Sequence, residues 1–268
     1  LAVLLCGLRA FEGFIEEKRL GWTVVINSDE EVGSPASSAS LVEEARGHPW
    51  AFGFEPALAS GAIASERRGS GTFQLQFHGR AAHSGRNPQD GRNALVPLAH
   101  FVLRCQQLNA ERASIFLNPA EITGGTVLNM VPETATCRLN VRTSSPEDEA
   151  WILRALHGFA AHTQGTSDYR VDVQGRFTAP PKGASPEIRQ LISFVQNTAA
   201  ELGHAIGAEP TGGTCDGNRL AAAGITNVDN LGVCGGQLHS ADEFMFAASL
   251  VQRSQLLHAM LTRLDERF

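Results

Sequence analysis

Apolar residues recur at helical spacing at the start of the chain, at Leu1, Leu4, Leu5, Leu8, Phe11 and Ile15. They predict an amphipathic helix ending near Lys18 and Gly21. The next run, Val24-Val25-Ile26-Asn27, is β-branched and unbroken, which predicts a buried strand. It stops abruptly at Ser28-Asp29-Glu30-Glu31-Val32-Gly33-Ser34, and a helix is predicted from about Ser38 to Ala45. A second short apolar segment, Trp50 to Phe54, ends in Glu55-Pro56. Helix, strand, acidic loop and helix in this order belong to an α/β layer.

From Gly71 the pattern becomes an alternation of period two. Phe73, Leu75 and Phe77 interleave with Thr72, Gln74, Gln76 and His78, the mark of a half-buried strand. A loop carrying His83, Gly85, Pro88 and Gly91 leads to a helix with Leu95, Leu98, Val102 and Cys105 on one face. Strands are predicted from about Glu121 to Leu128 and through Ala135, Cys137, Leu139 and Val141. A helix starting at Ser145-Pro146 follows, and an alternating strand through Tyr169, Val171 and Val173 closes the segment. The order is βαββαβ, the ferredoxin-like split unit, bounded by glycine-rich and proline-rich joints. The expected organisation is an α/β domain over 1–69, an inserted domain over 70–178, and the second part of the α/β domain over 179–268. In that second part Ile188, Leu191, Ile192, Val195, Ala199 and Leu202 mark a long helix. A glycine-rich loop, Thr211 to Asn218, leads to a short helix and a strand near Ile225 to Val228. The loop Gly235 to Ser240 precedes a final helix expected from Ala241 to Leu264.

Composition narrows the function classes. A net charge of −6 argues against nucleic-acid binding as the main activity, because such proteins usually carry a basic face. Lys18 and Lys182 are the only lysines, so the positive charge is nearly all arginine, whose fixed fork suits carboxylates. The five cysteines are widely spaced with no CxxC pair, and they read as buried or free thiols. No apolar run is long enough to span a bilayer, so no membrane partner is expected. No signal peptide is visible. Leu1 to Leu8 already reads as mid-helix, which sets the expectation of further sequence upstream.

The acids after Asn27 stand at the tip of the predicted strand, where open α/β folds place their ligands. Two adjacent glutamates there can divide labour, one binding a metal and the other moving a proton. Acids in this position also complement the positive end of the helix that follows. Both readings are open on this motif alone.

Six motifs in a fixed order extend it. Ser28 to Ser34 is followed by Phe54-Glu55-Pro56, Ala82-His83-Ser84-Gly85, Asn129-Met130-Val131-Pro132, the Gly-Gly-Thr-Cys-Asp loop and His239-Ser240. Together they resemble the dinuclear zinc exopeptidase and aminoacylase family that contains carboxypeptidase G, acetylornithine deacetylase and succinyl-diaminopimelate desuccinylase. The resemblance covers the whole chain, and Phe54-Glu55-Pro56 leans towards the carboxypeptidase G branch. It implies a zinc-exopeptidase-like catalytic domain with an inserted lid and dimerisation domain, a homodimer, and hydrolysis of an amide in an N-acyl or peptidyl amino acid. It implies two zinc ions per intact site, with cobalt or manganese as substitutes, and Glu30 as the general base acting on a water held between them. Glu31 and His239 would ligate one zinc and Glu55 the other. His83 would reach across the dimer interface to stabilise the oxyanion in the partner's site, and Asn129 and Arg142 would grip the substrate carboxylate.

The family's remaining ligands, a histidine and a bridging aspartate, have no counterpart in this sequence. The catalytic domain is therefore read as incomplete and the chain as inactive, within an intact product that is an amidohydrolase, cytoplasmic or alternatively periplasmic. The competing reading is a non-catalytic dimerising or binding module that keeps the fold without a metal centre. A serine hydrolase is disfavoured because no Gly-x-Ser-x-Gly elbow occurs, and nucleotide enzymes because no phosphate loop does.

Overall fold

The computed structural model describes residues 1–14, 19–166 and 168–266, so Ile15 and the helix end expected near Lys18 lie outside the described residues. The chain forms two compact units, Leu1–Arg67 with Lys182–Phe268, and Arg68–Pro181.

The first unit opens with α1 (Ala2–Phe14). Its inward face is Val3, Leu8 and Phe11, whereas Leu1 and Leu5, expected on that face, are exposed. Gly7 explains the rotation: a Cβ there would lie 2.7 Å from Cδ2 of Leu257, so the helix approaches its neighbour along the stripe through residues 3, 7 and 11. Gly7→Val is expected to cost about 1–3 kcal/mol through overpacking. Thermal unfolding checks this, and an unchanged midpoint would mean the contact is loose.

Residues 21–27 form no strand, which corrects the expectation for Val24 to Asn27. Among the described residues no strand pairs with them, and Val24, Val25 and Ile26 are 37%, 44% and 70% exposed. β-branched residues favour extended backbone, but a strand also needs a partner edge. Here the run lines one side of an apolar cleft of about 400 Å³, with Trp50, Phe52 and Phe54 also in its walls. The acidic turn leads to α2 (Ser38–Ala45), followed by β1 (Ala51–Phe52) and β2 (Ile63–Arg67).

The second unit runs β3 (Gly69–His78), α3 (Leu95–Glu111), β4 (Phe116–Gly124), β5 (Thr134–Thr143), α4 (Pro146–Thr166) and β6 (Arg170–Ala179). The sheet order is β4-β5-β3-β6, antiparallel throughout, which is the ferredoxin-like arrangement. Alternation delivers Phe73, Leu75 and Phe77 to the same core as Cys137, Leu139 and Val141, and α3 and α4 add Leu98, Phe101, Ile152 and Leu156. On α3 the buried residues include Phe101 and Leu108, whereas Leu95 and Val102, expected on the inward face, are only partly buried against the core. β4 spans Phe116–Gly124, earlier than the expected 121–128, and the chain turns at Gly125, whose φ of +77° suits glycine. Pro119 is tolerated because β4 is an edge strand.

The chain then returns to the first unit with α5 (Pro186–Glu201), capped by Ser185, whose hydroxyl accepts the Ile188 N–H at 3.3 Å. Leu202, expected on the buried face of this helix, follows its end and is partly exposed. β7 (Ala208–Thr211) pairs in parallel with β2, and after α6 (Asp216–Ala222), β8 (Asn227–Val228) pairs in parallel with β1. β9 (Gly235–Gly236) and β10 (Phe244–Met245) form an antiparallel pair. That pairing holds residues 244–245 extended, so α7 (Ala247–Asp265) begins at Ala247 and not at Ala241. Among the described residues no helix is long and apolar enough to cross a membrane.

Candidate active site

In the first unit the acidic motif folds as a tight turn. Glu30–Val32 make one turn of 3-10 helix, closed by Gly33 and Ser34 with φ of +89° and +50°. Asp29 ties down the turn that leads into α2: its carboxylate accepts the N–H groups of Ala36 at 2.8 Å and Ser37 at 3.1 Å. The Ser37 hydroxyl also donates to it, and these bonds hold its carboxyl below the usual range. Holding the entry to α2 therefore accounts for Asp29 and leaves the two glutamates free of that duty.

Glu30 is half-buried, and its carboxyl is pushed up to about 7 by burial first and then by the charges of Glu55, Asp216 and Glu31, with Arg67 opposing. Glu55 is raised as well, again by burial first, against the pull of Arg67. Four carboxylates from three segments thus stand close enough to repel one another, an arrangement a divalent cation would relieve. His239 joins them, its Nε2 3.7 Å from Glu31 Oε2, on a backbone with φ of +64°. Both side chains face solvent, at 73% and 76% exposure.

These donors suit zinc by type, since carboxylate and imidazole are its usual oxygen and nitrogen ligands. Their number does not complete a centre. Among the described residues no group of three or more histidine, cysteine, aspartate or glutamate side chains is placed to hold a metal ion. The residues present fit a ligand pair and not a full metal site.

Beneath the carboxylates lies a buried polar network. Asp229 accepts from Lys182 Nζ at 2.8 Å and from Arg67 Nε at 2.9 Å. Burial is the largest single influence and disfavours the Arg67 cation, but the charges of Asp229, Cys215 and Glu55 and the hydrogen bond to Asp229 together outweigh it, and the guanidinium is raised above its ordinary value. Arg67 also donates to Gly213 O and Asn230 Oδ1. Neither Asp216 nor this network was assigned from sequence. The signals available were the acid ending the Gly-Gly-Thr-Cys-Asp motif and the Asp229-Asn230-Leu231-Gly232 tract.

The second unit carries the other expected residues. Ala82–Ser84 runs beside Asn129–Val131, with Ser84 N–H to Asn129 O at 3.0 Å and Val131 N–H to Ala82 O at 2.9 Å, so His83 and Asn129 are neighbours. His83 is exposed, and its Nδ1 accepts the Gly85 N–H at 3.1 Å, which leaves Nε2 as the protonated nitrogen of the neutral ring. Arg142 is not with them. It pairs with Ser70 and Phe116 at one end of β5, while Thr134, next to the Asn129 loop, lies at the other end. At ~3.4 Å per residue the two ends are on the order of 25 Å apart. Arg142 donates instead to Asn140 Oδ1 at 3.0 Å.

Comparison with known proteins bears on this arrangement. Residues 65–167 match a peptidase dimerisation domain. Carboxypeptidase G2 of Pseudomonas sp. (strain RS-16) is 30% identical over 89% of this chain and 58% of its own length. A succinyl-diaminopimelate desuccinylase of Rhizorhabdus wittichii is 26% identical over 66% of this chain and 46% of its own. The solved structure of aminopeptidase PepT from Bacillus cereus superposes with a TM-score of 0.78 at 20% identity, over 88% of this chain and 62% of that one. The chain thus spans less than two thirds of the length of these proteins. Residues 65–167 are a peptidase dimerisation domain, and the chain is a relative of the hydrolases of the M20 metallopeptidase and deacylase family.

Proposed function

We propose that the protein is a metal-dependent amidohydrolase that cleaves an amide in an N-acyl or peptidyl amino acid with a free carboxylate, C-terminal glutamate being the first side chain to test. The observation that carries this reading is the convergence of Glu30, Glu31, Glu55 and Asp216, with His239 beside Glu31. Glu30 takes a proton from the attacking water and returns it to the nitrogen of the leaving amine. Glu31 and His239 are proposed as ligands of one zinc and Glu55 of the second. The described donors do not complete that centre. The chain as it stands is proposed to be inactive for want of those ligands, the intact product being the enzyme.

The homodimer is proposed to form through residues 65–167, with the open edge of β4 or a helix face as the contact. A two-fold axis also supports roles for both ends of the inserted unit: His83 and Asn129 would serve the partner's site and Arg142 another, since one copy cannot bring them together. Size-exclusion chromatography is expected to show a dimer, and a monomer at micromolar concentration removes the role of His83.

A second reading is favoured by the incomplete donor set: a non-catalytic dimerising or binding module. Release of glutamate from an N-acylated substrate by the intact product with zinc, abolished by a chelator, supports the enzyme. No release under any zinc loading supports the module.

A further inference from the structure

Glu30 and Glu55 come from different segments, and side-chain hydrogen bonds, linked through the short backbone stretch 213–216, join those segments within the first unit. At the Glu30 end, Asp216 accepts from the Ser34 hydroxyl and from Asn27 Nδ2, the latter at 2.7 Å. The chain runs back from Asp216 to Gly213, whose carbonyl accepts from Arg67 Nη1 at 2.9 Å. Arg67 Nη2 donates to Asn230 Oδ1, and Asn230 Nδ2 donates to the Pro56 carbonyl, next to Glu55. Two backbone bonds finish the strap, Gly232 N–H to Glu55 O at 2.9 Å and Leu231 N–H to Gly53 O at 3.1 Å.

The path has little slack. Arg67 is 6% exposed and Asn230 6%, so no bulk solvent competes for their donors. A Cβ on Gly217 would lie 2.3 Å from Asp229 Oδ2, which holds the loop hard against the network. Ser34 and Asn230 sit in the left-handed region, with φ of +50° and +63°. Strained backbone of this kind persists where the surroundings over-determine it, and both residues are hubs of the path.

We propose that the Gly213–Asp216 loop is a brace that sets the register of Glu30 against Glu55, with Ser34, Arg67 and Asn230 as its positioning residues. This rests on reading Glu30 and Glu55 as one site, and it adds how that site is held. A polar core that only contributes stability would loosen at the point of damage or everywhere at once. A brace transmits the damage to its far end.

Hydrogen exchange on the full chain separates these cases. Ser34→Gly and Asn230→Gly each keep the left-handed backbone accessible and delete the side-chain bonds. In Ser34→Gly the amides of Gly53 and Ala57, bonded to Val228 O and Val233 O, are expected to exchange about fivefold faster or more, the factor that one net hydrogen bond supplies. In Asn230→Gly the amides of Ser34 and Ala36 at the opposite end respond likewise, and the double variant exceeds the larger single effect by little. The Ile63 amide, bonded to Gly207 O outside the path, keeps its rate in all three. Effects confined to the mutated end, additive effects, or equal acceleration at Ile63 each overturn the proposal. Arg67→Lys is the mid-path variant: it keeps the cation facing Asp229 and loses the fork, and both ends respond if it folds. No hydrolysis is measured, so the enzymatic reading can fail while the brace stands, and the reverse.

Discussion

Asp229→Ala is expected to destabilise the first unit by about 3–5 kcal/mol, the cost of leaving a buried charge without its partner. Two cations depend on this carboxylate. Lys182 is fully buried and Arg67 nearly so, and their bonds to Asp229 are 2.8 and 2.9 Å. Removing the acid leaves two positive charges in a space with no water to receive them. Asp229→Asn, which keeps one acceptor, is expected to lose nearly as much, because what the site lacks is the negative charge. Urea unfolding followed by circular dichroism measures both, with Arg46→Ala as a surface control whose exposed pairing with Glu43 contributes about 0–1 kcal/mol. A loss below about 1 kcal/mol for Asp229→Ala would mean that water reaches the network after all.

Glu30→Gln is expected to lower the turnover of the intact, zinc-loaded product on N-acyl glutamate by about 10²–10⁴-fold, the range for removing a general base. The amide has the shape of the carboxyl group and cannot take up the proton. Binding of the substrate should be preserved, so the loss falls on kcat and not on KM. Glu31→Gln separates the two roles: as a ligand variant it should weaken zinc affinity, and excess zinc should restore part of its activity. Full activity in Glu30→Gln would assign the proton transfer elsewhere and overturn the mechanism.

Much of the second unit was legible in sequence because its rules are local. Phe73, Leu75 and Phe77 alternate with polar residues, and alternate residues of a strand face opposite sides. The first unit obeys longer-range rules. Val24 to Ile26 has strand composition, but composition carries no information about whether a neighbouring edge exists. Leu1 and Leu5 face outward because Gly7 decides which stripe of α1 can approach Leu257. The start of α7 was misplaced because Phe244 and Met245 are claimed by Gly235 and Gly236.

The same division runs through the candidate site. Glu30, Glu31 and His239 stood out as an adjacent acid pair and a histidine in a family's order. Asp216 and Asn230 did not, because their significance lies in contacts with residues far away in the chain, 182 positions for Ser34 and 174 for Pro56. Asn129 and Arg142 were expected to share a role on the substrate carboxylate, yet they lie towards opposite ends of β5.

The run from Leu20 to Ser28 contains no charged residue, and its Trp22, Val24, Val25 and Ile26 are open to solvent. Among the described residues no strand pairs with residues 21–27, and a tract of high β propensity without such a partner or a gatekeeping charge is a template for sticking one copy to another. Self-association of this chain is therefore expected to start at Trp22 and Val24 to Ile26, whose side chains lie open. Concentration and ionic conditions that the charged surface tolerates will still leave this tract adhesive, since screening acts on charges and not on bare β-branched side chains.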